Sequence, residues 1–535
     1  MKKEKEVYIL MLRIISSLVA VLTVASLQSQ TTLKSAPKLV IGITIDQLRG
    51  DYLELFQHTF TEKGFKRLLN EGVVYQNMTF DFPNINSAAA IATVYTGANP
   101  FYHGVVSSKK FSPQKSTEIS FFSDDNYIGN YTQDKLSPAA LKVSTITDEL
   151  KLASRGLSEV YSFAPDASQA LITAGHAANC AYWIEEYTGK WATTTYYKDF
   201  HWAVDHENRN NPYSNALTSL VWKPTLAINN YNAFPYTIAS SFQHTFGSYS
   251  LLKKSPLTTE LIRKTSAQLA EKADMGKRPT PDFLSLTFYL GNYPGAADKN
   301  YSIETQDAYI QLDKELGLLF DNIDRTVGLK NTLIFVTSTG YYDAEDVYPA
   351  NIQMPGGVFY TNRCEALLNM YLMAIYGKEQ WVEKLQDNQV YLNRKLIQDK
   401  NLNLEEIQNK AAEFAVQFTG VQDAATSIQL LTGKANDNMQ RYKNIYNKDV
   451  SGDIFLEIQP GYKIINEQSS SNIQEDKRAR ETAVAAPAIF FGYNVKPERI
   501  KRTIKATEIA PTVSHILRIR SPNAAKAQVL PEFLQ

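Results

Sequence analysis

The sequence contains few of the residues that build disulfides and transition-metal sites. Of its 535 residues, only 2 are cysteines and 7 are histidines. Cys180 and Cys364 exclude a disulfide framework, and we expect two buried thiols rather than a single bridge. No histidine occurs between His244 and His515. A zinc site that draws histidine ligands from this stretch is therefore excluded.

Neither sign of charge is in excess, and the chain has no internal repeats. Lys and Arg together number 55, and Asp and Glu also number 55. This balance excludes the strongly basic surface that is typical of nucleic-acid-binding proteins. We therefore expect no nucleic-acid partner.

Long hydrophobic runs are absent except near the N-terminus. Early lysines precede an apolar run from Ile14 to about Leu27, and small and polar residues follow, which is typical of a secretory signal peptide over residues 1–30. Met11 is an alternative start, and an uncleaved anchor is the alternative reading of the segment. We expect export to the periplasm or cell envelope of a bacterium, with no other membrane-spanning segment.

The length exceeds that of one compact core and predicts either two or three lobes or one large domain with insertions. Apolar strands alternate with amphipathic helices, which predicts an α/β fold around a parallel sheet. We expect the core over residues 36–363 and 483–535, with an inserted cap at about 189–276. Residues 364–482 are expected to form a smaller α+β lobe that ends in a polar loop.

Two polar residues stand where α/β proteins build their sites. Asp46 ends a predicted buried strand, and Ser87 precedes a predicted helix over residues 88–95. Asp46 is either a metal ligand or a carboxylate held by backbone N–H groups or by Arg49. Ser87 is either a nucleophile, which needs a base or a metal, or the N-cap of the helix. The helix N-terminus also favours an anionic ligand.

Many short motifs occur in one order along nearly the whole mature chain. They include IDQLRGDYL, GFKRLLNEGVVYQN, AGHAANCAYW, SIETQDAYIQLDKELG, SGDIFLEIQPGY and EIAPTVSHIL. In these motifs and their order the chain resembles the alkaline phosphatase superfamily, in particular secreted bacterial phosphatases and phosphodiesterases related to nucleotide pyrophosphatases. The resemblance implies an alkaline-phosphatase-like three-layer α/β/α sandwich. It also implies two zinc ions, held by three Asp and three His beside a Thr or Ser nucleophile.

Position by position, most of the residues that the resemblance implies are missing. Asp46 matches the first ligand Asp, and Ser87 stands at the nucleophile position. The ligand positions that hold other residues here are Phe288, Asn292, Thr339, Gly340 and Ala485. The positions that grip phosphate are also changed, because Asp166 and Ser168 replace Lys and Arg and Ser108 replaces Asn.

One carboxylate and one hydroxyl do not hold two zinc ions. The resemblance therefore implies a secreted, catalytically inactive relative, a pseudophosphatase, that needs no cofactor and binds an anionic ligand or an envelope protein. The alternative is a metal-dependent phosphate- or sulfate-ester hydrolase with a site rebuilt around Asp46 and Ser87. Asp298, Asp343 and Asp346 lie near the lost positions, and carboxylates alone suit a single Mg²⁺ or Ca²⁺ better than Zn²⁺.

Overall fold

A computed structural model describes residues 36–112, 115, 117–198, 200–210, 217–231, 241–296, 302–342, 356–467, 477–478 and 484–534. Pro37–Gln535 is one compact unit. The predicted signal segment lies outside the described residues, and so do Asp298, Asp343, Asp346 and most of the predicted polar loop.

The described residues form strands and helices that are numbered here in chain order. The strands are β1 (Leu39–Asp46), β2 (Val73–Thr79), β3 (Lys109–Ser112), β4 (Thr117–Ser120), β5 (Gly129–Asn130), β6 (Val160–Ala164), β7 (Cys180–Ile184), β8 (Trp191–Thr194), β9 (Val221–Trp222), β10 (His244–Thr245), β11 (Asp282–Tyr289), β12 (Thr332–Ser338), β13 (Val358–Tyr360), β14 (Val382–Gln386), β15 (Gln389–Leu392), β16 (Val421–Thr426), β17 (Ile454–Ile458), β18 (Lys463–Ile465), β19 (Lys477–Arg478), β20 (Ala486–Gly492), β21 (Glu498–Ile500) and β22 (Ile504–Lys505). The α-helices are α1 (Gly50–Leu55), α2 (Phe65–Glu71), α3 (Ser87–Thr96), α4 (Pro100–His103), α5 (Ile146–Ala153), α6 (Ala167–Ala174), α7 (Trp202–Asn210), α8 (Tyr249–Lys253), α9 (Leu257–Lys272), α10 (Ile303–Thr326), α11 (Thr361–Tyr376), α12 (Arg394–Asp399), α13 (Leu404–Ala415), α14 (Ser427–Thr432), α15 (Asp437–Gln440) and α16 (Ile509–Leu517).

An 11-stranded sheet in the order β21-β2-β20-β12-β1-β11-β6-β7-β8-β5, with β22 beside β2, organises the fold. Strand β1 is fully buried and runs parallel to both β11 and β12. The prediction of a parallel sheet is wrong for β20, which runs antiparallel to both β12 and β2. The apolar run APAIFFG is buried over nearly its whole length, and such a pattern indicates a central strand without indicating its direction.

Helices cover both faces of this sheet. On one face, Tyr95 of α3 packs 6.0 Å from Phe335 of β12, and Ser285 of β11 donates a hydrogen bond to the carbonyl of α6 residue Thr173. On the other face, Phe320 of α10 packs 5.7 Å from Phe491 of β20. The predicted α/β/α sandwich is therefore confirmed. In the described part of the chain, no helix is both long and apolar enough to cross a bilayer.

A second hydrophobic core lies in the segment after β13. Its four-stranded sheet has the order β14-β15-β17-β16, and α11 and α13 pack on it. Trp381 and Leu368 are fully buried in this cluster, and Tyr371 stacks on Phe414 with ring centroids 4.2 Å apart. The exact boundaries of the smaller lobe and of the cap stay predictions.

Candidate functional site

Asp46 and Thr339 meet at the carboxyl ends of two neighbouring strands. The register of β1 with β12 pairs Ile45 with Ser338, so the residues that follow lie side by side. Thr339 donates a hydrogen bond of 2.8 Å from Oγ1 to Asp46 Oδ1 and accepts one of 2.9 Å from the Gln47 N–H. Gln47 has a φ of 63°, in the left-handed region, which turns the chain sharply after Asp46. Thr339, which stands at one of the lost ligand positions, is thus a hydrogen-bond donor to Asp46.

Gln169 joins Asp46 to Ser87. It lies in the first turn of α6 and is 4% exposed. Its amide nitrogen lies 3.2 Å from Asp46 Oδ2 and 2.9 Å from Ser87 Oγ. The sequence reasoning missed this residue, although it is the single amide in the run QALITA that follows Ser168. A buried amide in such a helix needs partners, which is the signal that could have found it.

Ser87 is the first residue of α3, and the prediction that it caps this helix is wrong by one position. Asn86 is the N-cap, because its side chain accepts a hydrogen bond of 3.1 Å from the Ala89 N–H. Ser87 is partly buried and accepts its hydrogen bond from Gln169. Its hydroxyl is therefore turned toward Asp46 and not into the helix backbone.

Arg49 does not pair with Asp46, so that part of the sequence interpretation is wrong. Its guanidinium binds Asp51 at 2.7 Å and lies 4.3 Å above the Tyr52 ring and 5.2 Å above the Tyr342 ring. The helix α1 that begins after Arg49 directs the side chain to these partners. Asp46 is instead held by the neutral donors of Thr339 and Gln169.

Phe288 and Asn292, at two of the lost ligand positions, lie in the core. Phe288 is 1% exposed in β11 beside Ile45 and offers no donor atom to a metal. The side-chain oxygen of Asn292 accepts a hydrogen bond of 2.7 Å from the Tyr342 hydroxyl. Burial raises the pKa of Tyr342, which keeps the phenol protonated as the donor. Phe288 therefore serves packing, and Asn292 accepts a hydrogen bond from Tyr342.

Gly340 and Ala485 also offer no side-chain atom that could bind a metal. Gly340 has a φ of 74°, and a Cβ at this position would lie 2.5 Å from the Phe80 ring. Ala485 is exposed, and its carbonyl accepts a hydrogen bond of 3.1 Å from the Gly50 N–H. The space for an imidazole at position 340 is thus occupied by an aromatic ring.

The positions that would grip phosphate carry no cation. Asp166 is the N-cap residue of α6 and forms an ion pair of 3.1 Å with Lys253, whose side chain is nearly buried. Ser168 is partly buried in the first turn of α6. Ser108 is exposed, and its carbonyl accepts a hydrogen bond of 2.9 Å from the Phe121 N–H. Lys253 offsets the charge of Asp166, so the position that would hold a cation supplies no net positive charge.

Two histidines from the matching motifs are engaged elsewhere. His103 is fully buried, contacts Thr93 Oγ1 at 3.2 Å, and has its pKa lowered to about 3 by burial. His176 binds Asp148 at 2.9 Å and the Leu141 carbonyl at 2.9 Å. Neither imidazole contacts Ser87 as a general base would.

The residues at this edge do not fit two zinc ions. Zinc requires about four nitrogen, oxygen or sulfur ligands at each centre. Among the described residues, no group of three His, Cys, Asp or Glu side chains converges to hold a metal. The amide of Gln169 occupies the space between the one remaining carboxylate and the hydroxyl.

Known proteins that are similar to this chain include alkaline phosphatases. The chain is 28% identical over 524 residues to a protein of Myroides odoratus named calcium-transporting ATPase. The matched region covers 93% of this chain and 95% of the relative. It is 27% identical over 537 residues to alkaline phosphatase PafA of Elizabethkingia meningoseptica, with 93% and 94% covered. The crystal structure of wild-type PafA superposes with a TM-score of 0.82 at 25% identity, covering 94% of this chain and 99% of that one.

A family description matches most of the sequence. Residues 40–483 match type I phosphodiesterase / nucleotide pyrophosphatase, a range that extends from β1 across the second hydrophobic core. Asp46 at the end of β1 and the helix that begins at Ser87 both lie within this range. The chain therefore belongs to the type I phosphodiesterase / nucleotide pyrophosphatase family, within the alkaline phosphatase superfamily.

Proposed function

We propose that this chain is a non-hydrolytic member of its family, exported to the cell envelope, that acts by binding. The observation that carries the proposal is the closed hydrogen-bond network of Asp46, Thr339, Gln169 and Ser87. A Ser nucleophile needs a base or a metal to take its proton, and here its oxygen accepts a hydrogen bond from an amide. The network stabilises the folded site and leaves Ser87 unactivated.

The ligand that best suits this site is an anionic group or a surface of an envelope protein. The N-terminus of α3 carries partial positive charge, which favours an anion beside Ser87. The loss of cations at positions 166 and 168 and the acidic Asp166 weaken phosphate binding relative to a phosphatase site. Tight, specific phosphate binding is therefore less expected than recognition of a larger partner.

The test combines metal content with turnover. The purified chain is dialysed against ZnCl₂ and then buffer, its metal is counted by mass spectrometry, and hydrolysis of p-nitrophenyl phosphate and bis-p-nitrophenyl phosphate is measured. We expect no retained zinc, no turnover, and the same thermal midpoint with and without EDTA. Retained zinc together with turnover that disappears in Ser87→Ala contradicts the proposal.

A second candidate function is a hydrolase that uses one metal ion at a rebuilt site. It is supported by the presence of Asp46 and Ser87 at family positions, both within hydrogen-bond distance of the Gln169 amide nitrogen. The names of the relatives also support it. A single Mg²⁺ or Ca²⁺ would be its cofactor, because the ligands available are oxygens. Turnover that requires Mg²⁺ or Ca²⁺ and is abolished by both Asp46→Asn and Ser87→Ala would establish this alternative.

A further inference from the structure

The amide nitrogen of Gln169 lies where an ion would have to lie to touch both Asp46 and Ser87. It is 3.2 Å from the carboxylate oxygen and 2.9 Å from the hydroxyl oxygen. An ion bridging the same two oxygens would sit about 2.0–2.2 Å from each, inside the volume of this nitrogen. A primary amide has two N–H hydrogens, so it serves both oxygens at once.

The orientation of this amide is fixed by charge. The carbonyl oxygen Oε1 of Gln169 is buried and finds no hydrogen-bond partner among the described residues. Rotating the amide would give Oε1 new neighbours, but it would place that oxygen against the Asp46 carboxylate. The amide therefore presents its positive end to Asp46 and Ser87 at the cost of an unpaired oxygen.

The same arrangement occurs a second time in the chain, with one difference. Gln408 of α13 is fully buried, and its amide nitrogen lies 2.8 Å from Asp453 and 3.1 Å from Ser427, the first residue of α14. Its Oε1 is also buried without a partner. There, however, Arg394 donates to the same Asp453 oxygen at 2.9 Å and supplies a full positive charge. This second cluster provides a natural control for the first.

We propose that Gln169 is a positioning residue that substitutes for a divalent cation. Its amide closes the space between Asp46 and Ser87, so the residue type at position 169 decides whether this site takes a metal. The inference rests on the proposed function and deepens it, because it names the side chain that keeps the metal out. Loss of the amide, and not restoration of the lost ligand positions, is the change that reopens the space between Asp46 and Ser87.

The experiment replaces the amide with a carboxylate of the same shape. Gln169→Glu places two carboxylates about 3 Å apart, and such a pair is stabilised by a cation between them. We expect the variant to retain about one divalent ion per chain after dialysis against MnCl₂ or MgCl₂, given its oxygen ligands. Its thermal midpoint should rise with either ion and fall with EDTA. The wild-type chain should show neither response.

Gln408→Glu is the matched control. It makes the same substitution in the same local arrangement, but Arg394 supplies one positive charge there, so the two carboxylates would carry a net charge of −1 instead of −2. We expect it to bind no ion. Metal content separates the proposed role from a merely structural one, because an ordinary buried hydrogen bond would change stability in both variants without ion binding in either.

A second variant guards against failure of Gln169→Glu to fold. Gln169→His adds no negative charge and offers an imidazole nitrogen, so we expect it to retain zinc where the wild-type chain does not. Folded variants at position 169 that bind no ion overturn this inference and leave the non-hydrolytic function standing. Zinc retained by the wild-type chain together with turnover overturns the proposed function itself.

Discussion

Single side chains at the carboxyl end of β1 explain how a buried carboxylate is tolerated without the ligand set of the family. Asp46 is 4% exposed, and a carboxylate this deep requires donors or a cation. Thr339 and Gln169 give it one donor on each oxygen. The hydroxyl of Thr339 also accepts from the Gln47 N–H, so one residue supports both the site and the turn that follows it.

Thr339→Val is expected to destabilise the fold. It keeps the shape of the side chain but removes one donor to Asp46 and the acceptor for the Gln47 N–H, and a lost hydrogen bond to a charged group costs about 1.5–3 kcal/mol. Urea unfolding measures the change in free energy. Thr117→Val, at an exposed position on β4, is the control and should change stability by less than about 0.5 kcal/mol. Equal effects of the two substitutions would show that Thr339 has no special role.

Gly340→Ala is expected to destabilise the fold more than Gly156→Ala. Both glycines have a left-handed φ, 74° and 82°, but a Cβ at 340 meets Phe80 at 2.5 Å whereas nothing lies within 4 Å at 156. The left-handed conformation costs an alanine about 1–2 kcal/mol at both positions, and crowding adds about 1–3 kcal/mol at 340 alone. The difference between the two unfolding free energies measures the contact with Phe80. If that difference is zero, the ring does not restrict position 340.

At the scale of elements, helix α5 is fastened to the turn before β7 through one carboxylate. Thr145 and Asp148 form a capping box at the start of α5. Asp148 also accepts hydrogen bonds from the backbone N–H groups of His176 and Ala177 at 2.7 and 2.9 Å, and it pairs with the His176 ring. This side chain therefore holds the AGHAANC motif against the helix.

The stability that this link provides should depend on pH. Burial opposes both charges, but each partner's charge and hydrogen bond outweigh it, which raises the pKa of His176 above 6.5 and lowers the pKa of Asp148 below 3.8. The His176 contribution is complete below pH 6.5 and is lost as pH rises through its raised pKa. The Asp148 contribution is complete above pH 3.8 and is lost as pH falls through its lowered pKa.

Asp148→Asn should therefore lose most stability relative to wild type between pH 3.8 and 6.5, and less at higher pH. Urea midpoints of both proteins at about pH 5 and about pH 9 give this comparison. Asp205→Asn, which removes a surface pair with Arg209, is the control, because no histidine takes part in that pair. A loss for Asp148→Asn that is the same at both pH values would contradict the link to His176.

At the scale of the whole molecule, the sequence predicts the layers better than the contacts within the site. The strands β11 and β12 can be predicted from their continuous apolar runs, and the helix α10 from the spacing of its apolar residues. Burial determines both patterns. The direction of β20 cannot be predicted, because a strand that is buried on both faces has the same apolar sequence pattern whether it runs parallel or antiparallel to its neighbours. Asp46 and Ser87 are found from family motifs, whereas Gln169 meets them only through the packing of α6 on α3.

The contact between Phe80 and Gly340 also bears on the evolutionary reversibility of the site. A chain that regained histidine at 340 by one substitution would place the new side chain against Phe80 and would be destabilised by that contact. A smaller residue at position 80 alone would open a cavity with no benefit. Each step is harmful without the other, so selection for hydrolysis has no single-step path at this position. The contact between Phe80 and Gly340 therefore makes the loss of this ligand position difficult to reverse by single substitutions.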